Sequence, residues 1–92
     1  MFYNKWTAMQ IAKLKITRTE FCDRSGIAYS TLSQCKKYDP RLENLLLFCE
    51  VLTEEQKGTV ETFEALIMEA IRNTKGYKHS AERISTSTED KK

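Results

Sequence analysis

The sequence predicts an all-α fold, because apolar residues recur at helical spacing along most of its 92 residues. Two capping patterns of the form Thr-x-x-Glu/Gln, at Thr17 and Thr53, support helix starts. Turn residues then divide the periodic segments, with Gly26 and Pro40 as the clearest breaks. We expect five helices, of which the second and third are short and the last is long.

The composition indicates one small domain with its own core. Hydrophobic residues make up 40% of the chain, which is typical of a globular protein. No apolar run reaches 18 residues and no secretory pattern follows Met1, so we expect neither a membrane span nor export. The three cysteines occupy apolar positions of predicted helices, as reduced thiols do. The expected location is the cytoplasm.

Neither a metal site nor a catalytic site is expected. The spacings between Cys22, Cys35 and Cys49 match no zinc pattern, and His79 lies far from them. No Ser-His-Asp, Cys-His or paired-carboxylate arrangement falls on the part predicted to be ordered. We therefore expect a protein that is not an enzyme and needs no cofactor.

The first predicted helix runs from about Lys5 to Leu14, with Asn4 as its cap. Its apolar stripe comprises Trp6, Met9, Ile11 and Ala12. Its predicted polar side comprises Lys5, Gln10 and Lys13. We interpret Trp6 as a core residue.

The stretch 18–37 predicts two short helices separated by a tight turn. Thr17 and Glu20 form a capping box that starts the first of them. Gly26 allows the positive φ with which a chain leaves one helix for the next. The second helix is predicted from about Tyr29 to Lys37. Two helices joined by a short turn that contains glycine are typical of a helix-turn-helix.

These residues resemble the Cro- and phage-repressor-type (lambda-repressor-like) helix-turn-helix regulators. The resemblance rests on a small residue four positions before the glycine (Cys22), an apolar residue after it (Ile27) and inward residues at Leu32 and Cys35. The segment PRLENLLLFCEVL, residues 40–52, is similar to that family's fourth helix. The resemblance spans about residues 5–52.

The resemblance implies that the third helix enters the major groove of double-stranded DNA. Its outward residues are then the base readers: Ala28, Tyr29, Ser30, Ser33 and Gln34. Gln34 is the strongest of these, because a carboxamide can pair with adenine N6 and N7. The implied phosphate contacts are Arg18, Lys36 and Lys37. Each of these residues also fits an ordinary solvated surface.

The charge distribution favours a nucleic-acid partner. Residues 1–42 carry eight basic and three acidic residues, a net charge of +5. Residues 43–92 carry seven basic and ten acidic residues, a net charge of −3. Basic residues around the DNA-facing motif would neutralise phosphates, although mixed charges also solvate any small protein.

The second half of the chain predicts two further helices. One runs from about Arg41 to Leu52, and we expect Leu47 or Val51 on it to face a partner. The other spans residues 53–75, and its stripe predicts a homodimer interface at Val60, Phe63, Ile67 and Ala70. The alternative is that this stripe folds back on its own domain. The domain is thus assigned to residues 1–76, and the polar residues 77–92 are expected to form a flexible tail.

The leading hypothesis is a sequence-specific transcriptional regulator, commonly a repressor, that binds a palindromic operator as a homodimer. The main alternative is an antitoxin or anti-repressor-like module that binds a protein partner through the long helix. Binding of single-stranded RNA is a third possibility, but the aromatic residues fall largely on predicted core faces.

Overall fold

The computed structural model describes the backbone of residues 2–34 and 37–90 and the side chains of residues 5–34 and 37–86. Over these ranges the chain is all-α, which confirms the predicted class, and no strand is present. There are six helices instead of the expected five: α1 (Phe2–Lys13), α2 (Arg18–Ser25), α3 (Tyr29–Gln34), α4 (Leu42–Glu55), α5 (Val60–Arg72) and α6 (Lys75–Asp90). Cys35 and Lys36 lie outside the described residues.

Helix α1 turns a different face inward from the one its apolar residues predicted. Trp6 and Ile11 are buried as expected, but Thr7 and Gln10 are buried beside them. Met9, which was placed on the apolar side, is half exposed. The i, i+1, i+4, i+5 spacing of the buried residues forms one helical face, and packing selected that face although two of its members are polar.

Helix α2 begins at the predicted capping box. The Thr17 amide donates to Glu20 Oε1 over 2.9 Å, and the Glu20 amide donates to Thr17 Oγ1 over 3.1 Å. The Thr17 amide, followed by the Thr17 side chain, lowers the pKa of Glu20. A lowered carboxyl pKa means that the box stabilises α2 at neutral pH and weakens as the pH falls through that pKa.

The turn between α2 and α3 has the predicted geometry. Gly26 has a φ of 78°, and its amide donates to the Cys22 carbonyl over 2.9 Å. Ile27 follows as a buried residue, and its amide donates to Ser25 Oγ over 3.1 Å. The end of α2 is therefore closed by a left-handed residue, as in many helix C-termini.

The core is centred on Phe48 of α4. Its ring lies 5.7 Å from the Trp6 ring of α1 and 4.8 Å from the Phe21 ring of α2, measured between centroids. The Trp6 indole N–H donates to Glu69 of α5 over 3.2 Å, which connects a fourth helix to the cluster. The core position of Trp6 is thus confirmed.

Two cysteines lie in the same core. Burial raises the pKa of the Cys49 thiol to about 12 and also raises that of Cys22. Both thiols are free and buried. They remain protonated at neutral pH and pack as small apolar groups.

Helix α4 exposes other residues than those predicted to face a partner. Val51 is buried, so the expectation that it faces a partner is wrong, whereas Leu47 is half-buried and packs against the core. Leu42 and Leu46 are exposed instead. The difference arises because Phe48 and its neighbours rotate α4 so that the Leu42–Leu46 edge points away from the other helices.

The prediction of a single helix over residues 53–75 is wrong, because α4 ends at Glu55 and α5 begins only at Val60. Thr53 does not start a helix; its hydroxyl donates to the Cys49 carbonyl over 2.8 Å inside α4. Lys57 adopts a φ of 56° and donates to the Glu54 carbonyl, while the Gly58 amide donates to the Thr53 carbonyl over 2.8 Å. This pair of bonds is a Schellman C-cap, in which a lysine occupies the left-handed position usually given to glycine.

The segment beyond α5 is also more ordered than its composition predicted. Residues 77–90, expected to belong to a flexible tail, are helical within α6. Thr74 caps this helix, since the Tyr77 amide donates to Thr74 Oγ1 over 3.2 Å. Gly76, which directly follows the helix predicted over residues 53–75, instead lies in the first turn of α6.

The stripe predicted for dimerisation largely faces its own chain. Ala70 is fully buried, and Phe63 and Ile67 pack against the core. Val60 remains 69% exposed. The alternative that this stripe folds back on the domain therefore describes three of the four residues, while the oligomeric state stays a prediction.

Substituting the glycines at the two helix junctions tests the turn geometry. Gly26→Ala should destabilise the fold by about 1–2 kcal/mol, because alanine is strained at positive φ although nothing lies within 4 Å of the new Cβ. Gly76→Ala should be neutral or stabilising by up to about 1 kcal/mol, because this position is helical. Urea unfolding of both variants and the parent measures the difference. Equal stabilities for the two variants would contradict the assigned turn.

Candidate nucleic-acid interface

The outward surface of α3 carries most of the residues that the sequence assigned to base reading. Leu32 is buried and anchors the helix on the core. Ser33 is half-buried at the edge of the surface. Four predicted base readers are exposed together on or next to this helix: Ala28, Tyr29, Ser30 and Gln34. The surface therefore offers hydroxyl, phenol and carboxamide groups from a short, well-anchored element.

The predicted phosphate contacts stand at the ends of the α2–α3 pair. Arg18 is the first residue of α2 and is half-buried, whereas Lys37 is exposed in the turn after α3. Lys36 falls outside the described residues. The described cations thus lie at the beginning and the end of the pair, with polar side chains between them along the chain.

Another cation of this region is already paired. Arg24, near the end of α2, forms an ion pair with Glu55 at the end of α4. Both side chains are partly exposed, so the pair contributes little to stability. It does reduce the positive charge that Arg24 would present to a phosphate.

The loop after α3 is fixed at both of its sides. The amides of Lys37 and Tyr38 donate to the Gln34 carbonyl over 2.9 and 3.0 Å and so close the end of α3. The Asp39 carboxylate accepts from the amides of Lys75 and Gly76, at 2.9 Å each. These two amides belong to the first turn of α6, where a carboxylate is favoured by the free N–H groups and the helix dipole.

Lys75 adds a third bond between α6 and this loop. Its ammonium donates to the Lys37 carbonyl over 2.8 Å. The start of α6 therefore lies against the loop that ends α3 and brings one more cation to it. Sequence reasoning missed both Asp39 and Lys75. Thr74 three residues before Tyr77 was a local signal of a helix start, but the contact with Asp39, 36 residues away, has no local signal.

An open, polar cavity of about 440 Å³ lies between the end of α3 and the start of α4. Its walls include Gln34 and Thr31 from α3, Asp39 from the loop and Arg41 and Asn44 from the start of α4. Gln34, the strongest predicted base reader, is thus at the border of a concave surface lined by hydrogen-bonding groups. The cavity has both an acid and a base in its wall, so it selects for neither charge by itself.

Two other kinds of site are absent from the described residues. Within them, no group of three or more His, Cys, Asp or Glu side chains is arranged to hold a metal ion. No helix in the same part of the chain combines the length and apolarity required to cross a membrane.

Comparisons of this chain with protein-family models, with curated proteins and with solved structures gave no match.

The Asp39 contact makes a prediction about α6. Asp39→Ala should reduce helical content and speed amide hydrogen exchange in the first turn of α6, because two N–H groups lose their acceptor. Asp23→Ala, at an exposed position of α2, is the matched control and should leave this exchange unchanged. Hydrogen exchange measured by NMR resolves the Lys75 and Gly76 amides. Parental protection at these amides in Asp39→Ala would show that the carboxylate does not hold α6.

Proposed function

We propose that this protein binds double-stranded DNA sequence-specifically and regulates transcription, with α2 and α3 acting as a helix-turn-helix. The observation that carries the proposal is the combination of a buried Leu32 with exposed Tyr29, Ser30 and Gln34 on one short helix and exposed Ala28 just before it. A reading helix needs this division, because its inner side must fix its position while its outer side meets base edges.

The capping and turn geometry supports the proposal. The capping box fixes the start of α2, and Gly26 sets the direction in which the chain enters α3. Ile27 and Leu32 then fasten α3 to the core. A rigid α3 matters because bidentate contacts to bases require side chains held in a fixed orientation.

Each residue of the surface has a distinct role in the proposal. Gln34 pairs with an adenine through its carboxamide. Ser30 and Ser33 donate to or accept from base edges or phosphates, Ala28 packs against a thymine methyl group, and Tyr29 contacts a base or the backbone. Phosphates are neutralised by four cations, of which the first three were assigned from the sequence: Arg18, Lys36, Lys37 and Lys75.

The proposal includes a homodimer on a two-fold-symmetric operator, with half-sites about 34 Å apart, one helical turn of DNA. Repression by occupying a promoter is the simplest outcome for such a protein. The resemblance to phage-repressor-type regulators is what suggests this arrangement, together with the net charge of +5 on residues 1–42.

A second candidate is an antitoxin or anti-repressor-like module that binds a protein. It is favoured by an apolar groove of about 420 Å³ between α4 and α5, which is flanked by Glu50 and Glu54 and contains Val60 and Phe63. The residues that line this groove are not residues of the α3 surface, so one chain can carry both functions.

Selection of bound duplexes from a random DNA library, at two salt concentrations, tests the proposal. An enriched palindrome with half-sites about ten base pairs apart is the expected result. Binding without enrichment that disappears at moderate salt would reduce the interaction to non-specific charge attraction and overturn sequence-specific regulation.

Substitutions on the α3 surface separate base reading from phosphate contact. Gln34→Ala should cost about 1–3 kcal/mol on the selected sequence and relax the preference at one base pair. Lys37→Ala should weaken binding to all sequences and lower the slope of log K against log salt by about one. Arg72→Ala, an exposed cation of α5, serves as control. Equal losses for Gln34→Ala on selected and random duplexes would show that α3 does not read bases.

A further inference from the structure

Helix α6 projects from the domain with an apolar stripe along one side. Tyr77, Ala81 and Ile84 follow at i, i+4 and i+7, and we name them the α6 stripe. Tyr77 is 43% exposed and Ile84 is 67% exposed. The chain is correspondingly elongated, with extents of 50 × 29 × 21 Å and a radius of gyration of 14.8 Å. A compact chain of this length would have a radius of gyration of about 12 Å.

The composition of α6 requires a further stabilising contact. Isolated helices shorter than about 12–15 residues are marginal in water even when rich in alanine, and α6 exceeds that length by only about one residue. The 16 residues of α6 include a run of serine, threonine and isoleucine between positions 84 and 88, all weak helix formers. Asp39 and Thr74 secure only its first turn. Burial of the α6 stripe would supply the stability that helix propensity does not.

An apolar surface that could cover the α6 stripe lies at the junction of α4 and α5. Val60 and Phe63 form the apolar part of this surface, and Glu50 and Glu54 stand beside them on α4. Gly58 and Thr59, which connect the two helices, also line it. We name this surface the acidic groove. Val60, at 69% exposure, is one of the most exposed large apolar residues of the described chain.

The acidic groove and the α6 stripe complement one another in charge. Two carboxylates stand at the groove, whereas residues 77–86, which contain the α6 stripe, carry two basic residues and one acidic residue, a net charge of +1. The Tyr77 and Ile84 positions are about 10 Å apart along the helix axis, a spacing at which both can lie in one groove. An amphipathic helix placed with its apolar side in a groove is a common mode of recognition.

In the same chain, the start of α6 lies away from the groove. Its start is bound to Asp39 and to the Lys37 carbonyl, at the end of α5 opposite to the groove. The 13 residues of α5 separate the two places by about 20 Å. Two copies related by a two-fold axis, with their α5 helices antiparallel, bring the start of each α6 toward the groove of the other copy.

We propose that the α6 stripe of one copy of this chain binds in the acidic groove of a second copy, and that the exchange is reciprocal. Tyr77 and Ile84 pack on Val60 and Phe63, and Arg83 faces Glu54. This assignment deepens the proposed function, since it identifies the surfaces that form the homodimer and rests on that homodimer being the DNA-binding species. Of the four residues predicted for the dimer interface, Val60 and the exposed side of Phe63 take part in it, whereas Ile67 and Ala70 do not.

Sedimentation equilibrium of the full chain without DNA, at micromolar concentrations and under reducing conditions, measures the association. The parent should be a dimer, and Val60→Glu should weaken it by about tenfold or more, since a charge enters the apolar contact. Val60 is exposed, so this change leaves the core intact. Met9→Glu, at a half-exposed position of α1, is the matched control and should leave the dimer unchanged. A monomeric parent, or a dimer that persists in both Val60→Glu and Ile84→Glu, overturns the proposal.

A charge exchange tests the reciprocal pairing. Glu54→Lys and Arg83→Glu should each weaken their own homodimer, because both contacts then join like charges. An equimolar mixture should form a heterodimer tighter than either homodimer, since it contains one native and one exchanged Arg–Glu or Lys–Glu pair. A mixture that associates no better than its components overturns the pairing. The same result is expected if α6 occupies the groove of its own chain, because mixing then creates no new pair.

The dimer and the DNA proposals fail in different ways. The association is measured without DNA, and Gln34→Ala should leave it unchanged. A monomeric parent that still selects single half-sites from the duplex library overturns the α6 interface and leaves sequence-specific binding standing. A dimer with the expected response to Val60→Glu but without sequence selection supports the interface and overturns the regulator.

Discussion

The packing of α1, α2 and α5 around α4 depends on the burial of the Phe48 ring between Trp6 and Phe21. This contact joins α1, α2 and α4, and the indole N–H of Trp6 extends it to α5 through Glu69. Aromatic pairs at these centroid distances add to the free energy gained from area burial alone. In a chain of this size one such cluster is a large part of the core, so it determines the rotation of α4 and with it which leucines remain outside.

The same cluster determines what α3 presents to solvent. Phe21 lies on α2, and α2 is joined to α3 by only three residues, one of which is the left-handed Gly26. Fixing Phe21 therefore fixes the direction of α3, and Leu32 completes the attachment. With six helical residues, α3 has too little length to be stable alone. Its polar outer side is held in place by the core and not by helix propensity.

The sequence predicted the elements whose signals are local. The Thr17–Glu20 box, the Gly26 turn and the inward Leu32 each depend on residues within one or two turns, and the structure has all three. Thr53 shows where local signals fail, because a threonine can cap a helix or bond back to the preceding turn. Lys57 is a second case, since it ends α4 at positive φ, where a glycine is the usual signal. Thr74 was a local signal for the start of α6, but the Asp39 contact there could not be predicted, since that carboxylate comes from the other half of the chain.

The Asp39 contact gives α6 a part in the proposed DNA binding as well as in association. The Asp39 carboxylate lies in the loop that ends α3, and it accepts hydrogen bonds from two amides in the first turn of α6. Ordering α6 in the groove of a second copy would therefore favour the ordered form of that loop, next to Lys37 and Gln34. Linkage requires the reverse as well, so that DNA bound in the proposed way would strengthen the proposed dimer by the same factor. In the proposed complex, a single carboxylate between the proposed reading surface and the proposed dimer helix would couple the two equilibria.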